Sequence, residues 1–181
     1  NHVHHLANRF ATDMQNAGRQ IRHACFFDTV VIEAPDDCEQ LMAAALEAGI
    51  NLRLLEGAVA VSFDETSDEN LLTQLLAALG GVISNNGPDV DPDRTLPDHL
   101  RRNSTYLRHP VFHRYRTETE MLRYMRQLSD RDLALDRCMI PLGSCTMKLN
   151  STAEMMPVTW PSFSAIHPYA PEVQTTGYIE M

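Results

Sequence analysis

The side chains best suited to chemistry lie between Gly143 and Asn150. This stretch reads Gly-Ser-Cys-Thr-Met-Lys-Leu-Asn, and its Lys148 is the only lysine in the chain. A glycine-led turn presents backbone N–H groups, and hydroxyl, amide and ammonium groups beside it can hold an anion such as a carboxylate or a phosphate. The sequence contains neither G-x-x-x-x-G-K-[ST] nor G-x-G-x-x-G, so a nucleotide-binding loop is not indicated.

The cysteines give weaker candidates. No C-x-x-C pair occurs among the four, which are Cys25, Cys38, Cys138 and Cys145. A zinc site is therefore not expected, and so few cysteines favour reduced thiols. Cys145 and His167 could act as a nucleophile and its base, but their spacing does not support such a pair. A structural or lining role is the favoured interpretation.

Composition and charge exclude several classes of protein. The 181 residues are 44% hydrophobic and 22% charged, with a net charge of −9, which is a globular composition. No run approaches the roughly 20 apolar residues of a membrane helix. Nine arginines lie between Arg101 and Arg137, but five acids are interleaved with them and the whole chain is acidic. Nucleic-acid binding is therefore disfavoured.

The elements that must position these residues begin with a small domain over residues 1–80. Apolar spacing predicts a helix over 2–20, a strand over 26–33, a helix capped by Asp36 or Asp37, two paired strands around the turn at 56–57, and a leucine-rich helix that ends at Gly80. The order is α-β-α-β-β-α, and the fold class is α+β. We expect His2, His4 and His5 to lie at a solvated helix start.

The second part of the chain is organised differently. Residues 81–105 are rich in turn formers and are interpreted as a linker. Capping boxes at Thr117–Glu120 and Ser151–Glu154 predict two helix starts, and Met121, Leu122, Met125 and Leu128 are expected to face inward on the first helix. Five prolines between 141 and 171 make long helices or strands improbable there. This proline-rich arm needs a surface to lie against, either as a structural strap or as the lining of a ligand site.

Several motifs together resemble one family. They are the stretch 137–150 with Pro-Leu-Gly-Ser-Cys-Thr-Met-Lys-Leu-Asn, then Thr-Trp-Pro at 159–161, Phe163, Ile-His-Pro-Tyr at 166–169 and Gly-Tyr at 177–178. Upstream, Phe-Phe-Asp-Thr at 26–29, Ile-Asn-Leu-Arg at 50–53, Asp-Glu-Thr at 64–66 and much of 105–125 fit in the same order. This pattern resembles the pyridoxal-phosphate subunit of the glycine cleavage system, the P-protein or glycine dehydrogenase (decarboxylating) family.

The resemblance implies a long parent protein of two related halves, each similar to the α/β fold-type I pyridoxal-phosphate enzymes. Residues 1–80 would then be the small C-terminal domain of the first half and 81–105 a connection. Residues 106–181 would begin the second half, with a helix and the proline-rich active-site arm. The abrupt beginning and end of the chain are read as those of an internal fragment.

The resemblance also implies an activity. The family decarboxylates glycine on pyridoxal phosphate and passes the aminomethyl group to the lipoyl arm of the H-protein. Its Schiff-base lysine lies in a His-Lys motif that this chain lacks, so no catalytic residue is assigned and the fragment alone is expected to be inactive. The residues expected to line the substrate or cofactor site are Ser144, Thr146, Lys148, Asn150 and His167. The same motif could instead pack between the two halves.

Other properties follow from the resemblance. The expected partners are the lipoylated H-protein, the remaining P-protein domains or subunit, and a second copy in a dimeric parent, with no nucleic acid and no membrane. The expected location is a bacterial cytoplasm or a mitochondrial matrix. The alternative is a stand-alone α+β binding or regulatory module with a proline-rich arm and no enzymatic parent.

Overall fold

A computed structural model of the chain describes residues 2–82, 96–133, 137 and 151–181. Two compact units are formed, one from Asn1–Asn103 and one from Ser104–Met181. In the described part of the chain, no helix is long and apolar enough to cross a membrane.

The first unit contains three α-helices and a three-stranded antiparallel sheet. Its elements are α1 (His2–Asn16), β1 (Thr29–Glu33), α2 (Cys38–Glu47), β2 (Arg53–Leu55), β3 (Ala58–Ser62) and α3 (Glu69–Leu79). The strand order is β1-β3-β2, with Val31 opposite Ala60 and Leu54 opposite Val59. The predicted α-β-α-β-β-α order and α+β class are confirmed.

One apolar core joins the helices to the sheet. It contains Phe10, Met14, Ile32, Val59 and Leu72, all fully buried, and the ring of Phe10 meets Phe63 edge-on at 5.6 Å. In α1 and α3, the spacing of i, i+3, i+4 and i+7 places the apolar side chains, including Phe10, Met14 and Leu72, on the buried face of each helix. Burial of this apolar surface is the main stabilising contribution to the unit.

The ends of the helices follow local chemistry. The carboxylate of Asp68 accepts a hydrogen bond from the Leu71 N–H at 2.8 Å and caps α3, and Gly80 ends it in the left-handed conformation, with φ of 71°. The first helix is shorter than the predicted 2–20, because Gly18 turns the chain with φ of 85°.

The second strand is also shorter than predicted from the alternation of Ile50, Leu52 and Leu54 with Asn51 and Arg53. The Ile50 N–H donates to the Ala45 carbonyl at 2.9 Å, so the residues after α2 complete the helix end instead of joining the sheet. Only residues Arg53–Leu55 pair with β3. As an edge strand, β2 leaves Leu54 exposed.

The expectation of a solvated helix start is wrong for His4. Its side chain is buried and its ring stacks on Phe27 at a centroid distance of 5.0 Å. Nδ1 lies 2.6 Å from the Phe27 carbonyl and Nε2 lies 3.1 Å from the Asn8 amide nitrogen. A neutral ring that donates from Nδ1 and accepts at Nε2 satisfies both contacts. His4 therefore ties α1 to the segment before β1.

The second unit contains short helices and one longer one. They are α4 (Val111–Arg114), α5 (Glu118–Ser129), α6 (Thr152–Met155), α7 (Pro161–Ser164) and α8 (Thr176–Glu180), with 3₁₀ turns at Asp98–Leu100 in the first unit and at Met156–Thr159 and Glu172–Gln174 in the second. Both predicted capping boxes are present. As predicted for the arm, no described element between 151 and 181 exceeds five residues.

The inward orientation predicted for α5 is wrong. Its amphipathic pattern is real, but none of its residues is buried in the described part of the chain. Met121, Leu122, Met125 and Leu128 are between 42% and 59% exposed. The pattern identifies an apolar face without supplying the surface that covers it.

Candidate site on the proline-rich arm

The predicted site residues divide into two groups. Ser144, Thr146, Lys148 and Asn150 lie outside the described residues, as do Cys138 and Cys145. Of the five residues expected to line a site, His167 alone has a described position. The prediction that the motif at 143–150 lines a ligand site therefore stays a prediction.

The described arm begins directly after that motif with a reciprocal cap. The Glu154 N–H donates to Ser151 Oγ at 3.3 Å, and the Ser151 N–H donates to Glu154 Oε2 at 2.9 Å. This capping box begins α6 at Thr152, with Ser151 as the N-cap residue. Pro157 then confines the following residues to a 3₁₀ turn.

His167 lies on an exposed turn with its ring held in place. Its Nδ1 accepts a hydrogen bond from the Tyr169 N–H at 3.0 Å, and its carbonyl accepts one from the Ala170 N–H at 2.9 Å. The ring also contacts that of Tyr169, with centroids 5.8 Å apart. Since Nδ1 accepts, the neutral ring carries its proton on Nε2. His167 can therefore offer an N–H donor to a carbonyl or anionic oxygen.

An aromatic cluster connects α7, with Trp160 at its N-cap, to α8. The ring of Phe163 lies 6.2 Å from that of Trp160 and 6.2 Å from that of Tyr178. The Tyr178 hydroxyl donates to the Phe163 carbonyl. The sequence identified these three residues as members of separate motifs, and the fold brings Tyr178 onto Phe163, 15 residues earlier in the chain. The contacts between Phe163 and Tyr178 bring together two points of the arm that flank the turn at 165–170.

A second group of polar and aromatic residues lies at the start of α5. Tyr115 and Tyr124 stack with centroids 4.1 Å apart, and the Arg114 guanidinium lies 5.6 Å from the Tyr115 ring. They border an open cavity of about 290 Å³, together with Glu120, Arg123 and Gln127. Hydrogen bonds from the Thr117 hydroxyl and N–H and from the Arg116 N–H lower the pKa of Glu120. The sequence reads Arg-Tyr-Arg at 114–116, but the stacking of Tyr115 on Tyr124 is seen only in the structure.

The described residues also limit what can be bound. Among them, no cluster of His, Cys, Asp or Glu could hold a metal ion, and Cys25 and Cys38 are free thiols. They include no lysine, since Lys148 lies outside them. The described residues therefore do not by themselves fit pyridoxal phosphate, which needs a lysine for its imine bond.

Comparison with known proteins gives a consistent result. Residues 1–79 match the family described as "Glycine cleavage system P-protein". The chain is 48% identical over 180 residues to the glycine dehydrogenase (decarboxylating) of Roseobacter denitrificans, 49% over 179 residues to that of Cereibacter sphaeroides, and 47% over 176 residues to that of Bradyrhizobium diazoefficiens.

The matches cover nearly all of this chain but only a small part of each relative. They cover 97–99% of this chain but 18–19% of each relative, so the chain spans about a fifth of their length. The resemblance drawn from the motifs is confirmed, and it extends from the first unit through the proline-rich arm.

Proposed function

We propose that this chain, a segment of the glycine cleavage P-protein family, works as part of a glycine dehydrogenase (decarboxylating). Such an enzyme removes the carboxyl group of glycine and transfers the aminomethyl group to the lipoyl arm of the H-protein. The observation that carries the proposal is 45–49% identity to six such relatives along 97–99% of the chain. A similarity this continuous includes both the α+β unit and the arm.

Within that enzyme, residues 1–80 form the small C-terminal domain of the first half, 81–105 connect the halves, and 106–181 begin the second half. Two observations support the first boundary. The family match ends at residue 79, and α3 ends at Leu79. We also propose that each half adopts a fold-type I arrangement and that the parent is a dimer in the bacterial cytoplasm, as befits bacterial relatives.

Pyridoxal phosphate, when bound to the parent enzyme, supplies the electron sink for decarboxylation. Its Schiff-base lysine lies outside this chain, so the role of this segment is to shape the site. We propose that Ser144, Thr146, Lys148 and Asn150 line it by offering hydroxyl, ammonium and amide groups to anionic oxygens. His167 contributes an N–H donor from a turn that its bond to Tyr169 fixes.

A segment exchange tests the proposal. The matched 180 residues of the Roseobacter denitrificans enzyme are replaced by this chain, and the exchange of labelled bicarbonate into glycine is measured with H-protein present. A matched control carries the same chain with Leu72→Asp, which places a charge in the fully buried core. We expect the exchanged enzyme to retain activity and the control to lose it.

The alternative function makes the opposite prediction. If the segment is a stand-alone α+β module, the exchanged enzyme folds and binds pyridoxal phosphate yet shows no glycine-dependent exchange. That result, with the cofactor absorbance intact, would overturn the proposed function.

A further inference from the structure

Tyr178 closes a loop within the proline-rich arm. Its hydroxyl donates to the carbonyl of Phe163, 15 residues earlier, and its ring meets the Phe163 ring edge-on with centroids 6.2 Å apart. Between these two residues the chain leaves α7, turns at 165–170 and returns through the 3₁₀ turn Glu172–Gln174 to α8. Compact surface loops whose ends meet in this way frequently carry functional residues. We call residues 163–178 the arm loop.

The hydrogen bond from Tyr178 reaches a carbonyl that its own helix cannot satisfy. The helix α7 has four residues, Pro161–Ser164, and the last four carbonyls of a helix have no partner within it. The Phe163 carbonyl is one of these, and the Tyr178 hydroxyl supplies its donor. The backbone of Tyr178 is itself held, because its N–H donates to the Thr175 carbonyl at 2.9 Å. Both ends of the closing contact are therefore fixed by local structure.

His167 lies between the two joined ends of the arm loop. Hydrogen bonds from the Tyr169 and Ala170 N–H groups, at 3.0 and 2.9 Å, reach its Nδ1 and its carbonyl and orient the imidazole within the turn. These bonds span at most three residues, so they do not fix the turn relative to α7. That position depends on contacts that join the ends of the loop. Tyr178 makes two of them, one through its hydroxyl and one through its ring.

We propose that Tyr178 is a positioning residue of the parent enzyme, which closes the arm loop and thereby fixes where the Nε2–H donor of His167 lies. The inference rests on the proposed function, in which His167 offers this donor to an anionic oxygen in the glycine site. Tyr178 itself contacts no substrate in this role. Loss of its hydroxyl leaves the donor present but poorly placed, and small displacements of a binding group lower the rate of an enzyme substantially.

Hydrogen exchange of backbone amides tests the closure of the loop in the full-length protein that contains this chain. Tyr178→Phe removes the hydroxyl and keeps the ring. Thr175→Val is the matched control, because it removes a hydroxyl whose bond to the Glu172 carbonyl, at 3.0 Å, stays on one side of the loop. Peptides within 164–170 are expected to exchange about threefold or more faster in Tyr178→Phe and at the wild-type rate in Thr175→Val. Wild-type exchange in both variants would overturn the proposal.

A double-mutant cycle tests the link to His167. Glycine–bicarbonate exchange is measured for the full-length wild type, Tyr178→Phe, His167→Ala and the double variant, each saturated with pyridoxal phosphate and supplied with H-protein. Tyr178→Phe is expected to lower kcat/KM about tenfold in the wild-type background and less than about twofold in His167→Ala, because the donor that it positions is then gone. A loss of equal size in both backgrounds would show a merely structural role and overturn the proposal, as would an unchanged kcat/KM in His167→Ala.

Failure of the proposed function and failure of the positioning role give different results. A folded wild-type protein that exchanges no label into glycine refutes the proposed function, and the amide exchange then still shows whether Tyr178 closes the loop. An active wild type in which Tyr178→Phe behaves like Thr175→Val in both measurements refutes the positioning role alone.

Discussion

Asp64 is expected to stabilise the first unit in a pH-dependent way. It lies in the turn between β3 and α3, where its Oδ1 faces the Thr66 N–H and hydroxyl at 2.9 and 2.6 Å and the Ser67 N–H and hydroxyl at 3.1 Å each. These hydrogen bonds, led by that of the Thr66 hydroxyl, lower the pKa of Asp64 from its ordinary value of 3.8. Asp64→Asn keeps an acceptor but removes the charge.

The expected magnitude is modest because Asp64 is exposed. A hydrogen bond to a charged group contributes about 1.5–3 kcal/mol, and water competes for an exposed carboxylate, so Asp64→Asn should cost about 1.5 kcal/mol near neutral pH, the lower end of that range. For a unit of this size that corresponds to roughly 6–12 °C in melting temperature. Since the folded-state pKa is lowered, the stabilisation is complete above the unfolded-state pKa. It is lost as the pH falls through the folded-state pKa.

The assay is urea unfolding of the 181-residue chain, followed by circular dichroism at about pH 7 and about pH 3. Glu65→Gln is the matched control, because it removes the same charge one residue away. The difference between Asp64→Asn and wild type should be largest at neutral pH and should shrink in acid. An equal effect of the two variants, or a difference that does not change with pH, would refute this account of the turn.

Four further predictions concern the core, the arm and the lysine. Phe10→Ala should destabilise the first unit by about 3–5 kcal/mol in urea titrations, because a fully buried ring is lost. Limited proteolysis of the isolated chain should cut first within 139–169, where apolar residues are expected to need a partner domain, and protection of that segment in a monomer would contradict this. Borohydride should trap no stoichiometric pyridoxal-phosphate adduct on Lys148. In the parent enzyme, Lys148→Ala should reduce glycine decarboxylation about tenfold or more, because a charged contact of ~1.5–3 kcal/mol is lost. Lys148→Arg should restore part of the activity. A lower melting temperature with normal turnover would indicate a structural ion pair instead.

Local patterns predicted the first unit well because its signals are short-range. The cap at Asp68, the stop at Gly80 and the apolar spacing of α1 and α3 each depend on a few neighbouring residues. The length of β2 was harder to predict, since the Ile50 N–H is used by the end of α2. The burial of His4 depends on Phe27, which is 23 residues away, and no local pattern encodes that contact.

In the second unit, the sequence predicted the helix starts but not the contacts between side chains. Both capping boxes were predicted from four residues each, and both form. The apolar pattern of α5 was predicted correctly, but its inward orientation depended on a surface that helical spacing cannot supply. On the arm, the motifs identified Trp160, Phe163 and Tyr178, whereas the contact of Tyr178 with Phe163 joins residues 15 positions apart and could not be read from either motif. Motif membership alone could not place these side chains.

The most direct test of the account is glycine–bicarbonate exchange by the purified full-length protein that contains this chain. The protein is saturated with pyridoxal phosphate and assayed with and without lipoylated H-protein. We expect exchange of label into the carboxyl group of glycine, and this exchange should increase when the H-protein is added. A folded, cofactor-loaded protein that exchanges no label under either condition would contradict the claim that this chain works within a glycine dehydrogenase.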